Sequence, residues 1–109
     1  MKYIMILTLL LASTTIAAAA FDLTMALAKQ GEAYAQYNLG VMYDNGMGVP
    51  ENSIRAYVWW SMAKTQGNTK ASHNLEILKP EMTKQQIADG QALATKCFES
   101  DYKDCDWYD

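Results

Sequence analysis

Apolar positions recur along this chain with the 3.6-residue period of helices, and no window alternates as a half-buried strand would. From about Glu32 to Asp44, the residues Ala35, Leu39, Met42 and Tyr43 fall at i, i+4, i+7 and i+8 and form one stripe. Ala56, Trp59, Trp60 and Ala63 form the packing face of a segment that Asn52 or Ser53 opens and that runs to about Gln66. Ala71, Leu75 and Leu78 repeat the stripe between about Thr69 and Lys79. Asp22 is placed to cap a short helix through Gln30, and Thr83 with Gln86 makes a capping box for a fifth helix whose apolar residues include Ile87, Leu93, Ala94 and Phe98. Gly31 and Gly67 read as left-handed stops, Asn45-Gly46-Met47-Gly48-Val49-Pro50 as a break, and Pro80 as another. The expected fold is all-α, built from helical hairpins with short connections.

Two of these segments echo each other. Gln30-Gly31, Ala35 and Asn38-Leu39 recur 36 positions later as Gln66-Gly67, Ala71 and Asn74-Leu75. A period in the range of roughly 20–50 residues marks stacked units that cannot bury their apolar faces alone.

The amino-terminal residues 1–20 read as an address. Lys2 is followed by an almost wholly apolar run over residues 3–12, then Ser13-Thr14-Thr15 and Ala17-Ala18-Ala19-Ala20, so Ala18-x-Ala20 offers a small-residue cleavage site before Phe21. An uncleaved anchor is the alternative, opposed by the hydroxyl residues that shorten the apolar run below the ~20 positions a spanning helix needs. Cleavage directs the chain to the periplasm or to secretion, with no stable membrane span left. No cysteine near the site invites a lipid.

Removing residues 1–20 takes one base, Lys2, and leaves 89 residues with eight bases and twelve acids, a net charge of −4. Residues 21–98 carry seven charges of each sign, so the acidic excess belongs to residues 99–109. A chain with no basic patch is not built for nucleic acid. Cys97 and Cys105 are an even pair eight apart in a chain read as exported, which favours a disulfide over free thiols or a redox pair.

The run Ala33-Tyr34-Ala35-Gln36-Tyr37-Asn38-Leu39-Gly40-Val41-Met42-Tyr43, then Gly46-Met47-Gly48-Val49-Pro50, then Ala56-Tyr57-Val58-Trp59-Trp60 resembles one complete Sel1-like repeat over about residues 32–68. Residues 69–98 resemble a degenerate second repeat, with Glu76 in place of Gly40 and no glycine turn. The resemblance implies a short α/α solenoid over 21–98, related to tetratricopeptide repeats, followed by an acidic aromatic tail over 99–109. It also implies a non-enzymatic interaction scaffold for a protein or peptide partner of unknown identity. Carried over by register, the partner groove would be Tyr34, Tyr37, Val41 and Asp44, continued by Lys70 and His73. Positions 34, 37, 41 and 44 also form a second stripe beside the packing stripe. The competing reading has these side chains merely covering neighbouring hairpins. A structural accessory or relic of a longer array is a further alternative. So is the β-lactam binding or hydrolysis linked to cysteine-rich members, whose cysteine pair inside every repeat is absent from this sequence.

No catalytic residue, cofactor or metal site is expected. His73 is the only histidine, and a lone His73-x-x-Glu76 pair lacks the further ligands zinc requires. Gly46-x-Gly48 follows a helix rather than a strand and lacks the Gly-Lys-Ser/Thr ending of a phosphate loop. Ser61, Thr65 and Ser72 have no base at a recognised spacing. Asp101, Asp104 and Asp106 lack the glycine and distal glutamate of a calcium loop. Trp59 and Trp60 read as core, whereas Tyr102, Trp107 and Tyr108 sit in the acidic tail, where they either dock on a basic partner or cover the last helix.

Overall fold

A computed structural model of the protein describes the backbone of residues 2–105 and the side chains of 16–105. Five helices follow one another: α1 Lys2–Lys29, α2 Ala33–Asn45, α3 Ser53–Thr65, α4 Thr69–Leu78 and α5 Lys84–Glu99, with a short 3-10 turn at Lys79–Glu81. No strand occurs among the described residues. The ends are set by local chemistry. Asn52 Oδ1 accepts from the Arg55 amide at 3.0 Å and Asn68 Oδ1 from the Ala71 amide at 2.8 Å, so two asparagines open α3 and α4. Thr83 and Gln86 exchange hydrogen bonds of 2.9 and 3.1 Å at the start of α5, the reciprocal box read from the sequence. Gly31 and Gly67 both adopt φ 91°, beyond the ordinary reach of a side-chain-bearing residue.

One expectation is corrected at the amino-terminal side. Asp22 caps nothing, because α1 runs unbroken from Lys2 to Lys29. Ala17-Ala18-Ala19-Ala20 are strong helix formers and no proline or glycine interrupts them. The helix therefore passes through the expected cleavage point. Phe21 meets the Tyr43 ring edge-on at 5.6 Å between centroids, and the Ala17 carbonyl lies against Gly48.

The helices stack pairwise around α3, which packs against α2, α4 and α5. Its Ala56, Tyr57, Val58, Trp59, Trp60, Met62 and Ala63 are all buried. A helix enclosed on three sides needs apolar residues nearly all round, so the expected single face was too narrow. Two glycines let its aromatic rings in. A Cβ on Gly40 of α2 would overlap Cδ1 and Nε1 of Trp60, and one on Gly90 of α5 would lie 2.6 Å from Cδ1 of Tyr57. Trp60 Nε1–H, thus seated, donates to the Tyr37 carbonyl at 3.0 Å.

The repeat echo is a physical join. Gln66, the counterpart of Gln30, donates from Nε2 to the Gly31 carbonyl at 2.9 Å and to Gln36 Oε1 at 2.8 Å. Gln36, fully buried, donates in turn to the Ala28 carbonyl at 3.1 Å. Three helix ends are tied by two amides, and no buried side-chain polar atom among the described residues lacks a partner.

Cys97 and Cys105 form a disulfide with Cα atoms 4.5 Å apart. The intervening turn places Asp101 and Tyr102 at φ 56° and 66°, and Tyr102 lies against Gly31. The start of the tail thus folds back on the α1–α2 turn. On α5 the buried seam is Gly90, Ala94 and Cys97, while Phe98 is 52% exposed. Small residues admit Tyr57 there, and the disulfide turns Cys97 inward, which rotates Phe98 out. Trp107 and Tyr108 lie outside the described residues.

Candidate interaction groove

The first helices of the two hairpins, α2 and α4, run side by side in the same direction and leave a groove of about 300 Å³ between them. Tyr37, Val41, Asp44 and Asn45 form one wall, Asn74, Ile77, Leu78 and Glu81 the other, and Trp60 of α3 lies at the floor. Two pairs of lining residues keep the 36-residue offset, Val41 with Ile77 and Asn45 with Glu81. The repeat creates the groove by placing equivalent turns of two parallel helices next to each other. Its floor exists because Gly40 lets the Trp60 indole through.

Of the six residues assigned to a groove from the sequence, Tyr37, Val41 and Asp44 line it. Tyr34 does not. It is 60% exposed, its ring tilts against Tyr37 at 5.9 Å, and it borders a smaller depression of about 210 Å³ between α1 and α2 with Thr24, Leu27 and Asn38. Lys70 and His73 are exposed on α4 and fall outside the lining. Asn45, Trp60, Asn74, Ile77, Leu78 and Glu81 complete the lining and were not assigned to it from the sequence. Extending the offset from Val41 leads straight to Ile77, which is 56% exposed and otherwise unexplained as a large apolar side chain.

One end of the groove is electronegative. Burial, then the carboxylates of Glu51 and Glu81, push Asp44 above the ordinary carboxylate value. The carboxyl-terminal ends of both α2 and α4 lie there; α2 has no base in its last turn, and Lys79, which caps α4, pairs with Glu76 at 3.4 Å. Among the described residues no ion pair neutralises Asp44, Glu51 or Glu81, and no group of three or more metal-ligating side chains is found.

A second depression of about 470 Å³ lies on the opposite side between α3 and α5, lined by Tyr57, Met62, Ala94 and Phe98 among others. Among the described residues no helix is long and apolar enough to cross a membrane. No curated protein and no solved structure matches the chain. The family model of the Sel1 repeat matches residues 33–68, which hold α2, the glycine turn and α3.

Proposed function

We propose that this protein is an exported, non-enzymatic interaction module whose groove between α2 and α4 receives a segment of a protein partner. The observation that carries the reading is the groove itself: an aromatic floor at Trp60 between walls that are apolar at Val41, Ile77 and Leu78 and polar at Asp44, Asn45, Asn74 and Glu81, with exposed Ile77 on its rim. Sel1 repeats serve protein–protein interaction, and residues 33–68 match their family model. The Cys97–Cys105 disulfide agrees with an oxidising compartment, the periplasm or the exterior, and with residues 1–20 acting as a signal peptide.

The test is a crosslinking pull-down from cells expressing the full chain, with Tyr37→Ala/Ile77→Ala as the comparison. A protein captured by the native chain and lost by the variant, at unchanged circular dichroism, supports the groove. A protein captured equally by both refutes it and moves the interface elsewhere. A colorimetric β-lactam assay on the purified protein is expected to show no turnover above a heat-inactivated control. Activity that survives repurification would overturn the non-enzymatic reading.

A further inference from the structure

Resting on that reading of the groove, we infer that its occupant is a short extended peptide segment with a lysine or arginine within two residues of a large apolar side chain. The apolar half of the recognition comes from Val41, Ile77 and Trp60, with Tyr37 beside them. The charged half is the far end, where Asp44 and Glu81 line the groove and Glu51 lies near enough to act on Asp44. A cation of the partner would replace the missing counter-charge there.

Several observations converge on an organic cation. Carboxylates at the carboxyl-terminal end of a helix oppose its dipole, and α2 places Asp44 there with no base in its own last turn, the Arg55 guanidinium lying instead over the Tyr43 ring at 5.7 Å. α4 ends beside it in the same sense, so two helix ends and three acids share one polarity. Such an arrangement repels an acidic partner and steers a basic one. Among the described residues the carboxylates do not form a metal-ligating group, and aromatic rings line the same groove, which suits an alkylammonium or guanidinium borne on an apolar stem. Dimensions set the length. From Tyr37 to Asn45 the α2 wall rises roughly 12 Å at 1.5 Å per residue, which about four extended residues span. Val41 and Asp44 are one helical turn apart, so the apolar and basic side chains of the occupant must be near neighbours.

The test uses an array of acetylated, amidated octapeptides in which each position in turn is fixed to one residue type and the others are mixed. The purified protein is the soluble phase. Expected is enrichment of Lys or Arg within two positions of Leu, Ile, Met or Phe. For the best peptide, Asp44→Asn/Glu81→Gln is expected to weaken binding at least tenfold. Asp89→Asn/Glu99→Gln, which removes the same charge elsewhere, is expected to leave it within twofold. Enrichment of acidic or uncharged peptides, or equal loss in both double variants, overturns the cation assignment. If peptides lose binding with Ile77→Ala but not with Asp44→Asn/Glu81→Gln, the groove stands and the basic partner falls. No enriched peptide, or binding indifferent to all these variants, overturns the groove and its occupant together.

Discussion

Gly40→Ala is the most searching single change. It adds one methyl to α2 and, on helix propensity alone, would stabilise the protein by about 1 kcal/mol. The structure reverses the sign. The new Cβ would overlap Cδ1 and Nε1 of Trp60 and lie 2.8 Å from Cε2. Trp60 is 3% exposed, so its indole can leave α2 only by moving toward the groove and giving up the packing that holds it. Overpacking of this kind costs about 1–3 kcal/mol. Displacing the ring also breaks the 3.0 Å bond from Nε1–H to the Tyr37 carbonyl, and a buried donor left alone costs a further ~1–3 kcal/mol. Setting the propensity gain against these, the net loss centres on about 3 kcal/mol, or about 12–24 °C in melting temperature at this size. Urea and thermal melts followed at 222 nm measure it. Trp60→Phe, which shortens the ring, should cost less in the Gly40→Ala background than alone, by at least about 1 kcal/mol of coupling. Gly67→Ala isolates the backbone contribution: φ is 91° with no atom within 4 Å, so only about 1 kcal/mol of strain is expected. A Gly40→Ala protein as stable as the native one, or additivity with Trp60→Phe, would refute the packing argument.

Other expectations follow from separate features. Asn52→Ala and Asn68→Ala should each cost about 1 kcal/mol and add in the double variant, since they cap different helices; marked non-additivity in urea melts would contradict independent caps. Free-thiol counting on unreduced, denatured protein should find none, and reduction should destabilise by about 2–3 kcal/mol for a loop this short. For Asp44 the folded-state pKa is raised, so its ionised form penalises folding above that pKa, and the penalty disappears as pH falls through it toward the ordinary 3.8. Asp44→Asn should therefore stabilise the protein slightly at neutral pH and not below pH 3.8, and paired melts across that range would expose a reversed sign.

Local signals carried most of the architecture. The α4 stripe Ala71, Leu75 and Leu78 is the buried set observed, and the Thr83–Gln86 box forms as written. These features depend on residues within one or two helical turns. What the sequence left open depends on neighbours far along the chain. The full burial of α3 follows from three helices meeting it, and the phase of α5 from Tyr57 entering at Gly90. The continuity of α1 follows from residues 17–22, where nothing breaks a helix, and the small-residue composition there is compatible with a cleavage site and with a helix alike. Half of the groove was legible through the stripe at Tyr37, Val41 and Asp44. The other half required carrying the 36-residue offset on to Ile77 and Asn45 on to Glu81, since groove walls come from equivalent positions of successive units and not from neighbours in sequence.

The groove as the interaction surface can be tested in place by site-specific photo-crosslinking in the cells that make the protein. A benzoyl-phenylalanine is installed at position 77 on the groove rim, or at position 98 on the opposite side, in otherwise native full-length chains. An adduct with a partner from position 77 and none from position 98, abolished by Asp44→Asn/Glu81→Gln, is the expected result. Adducts from position 98 alone would place the partner on the α3–α5 side and contradict the groove as the functional site.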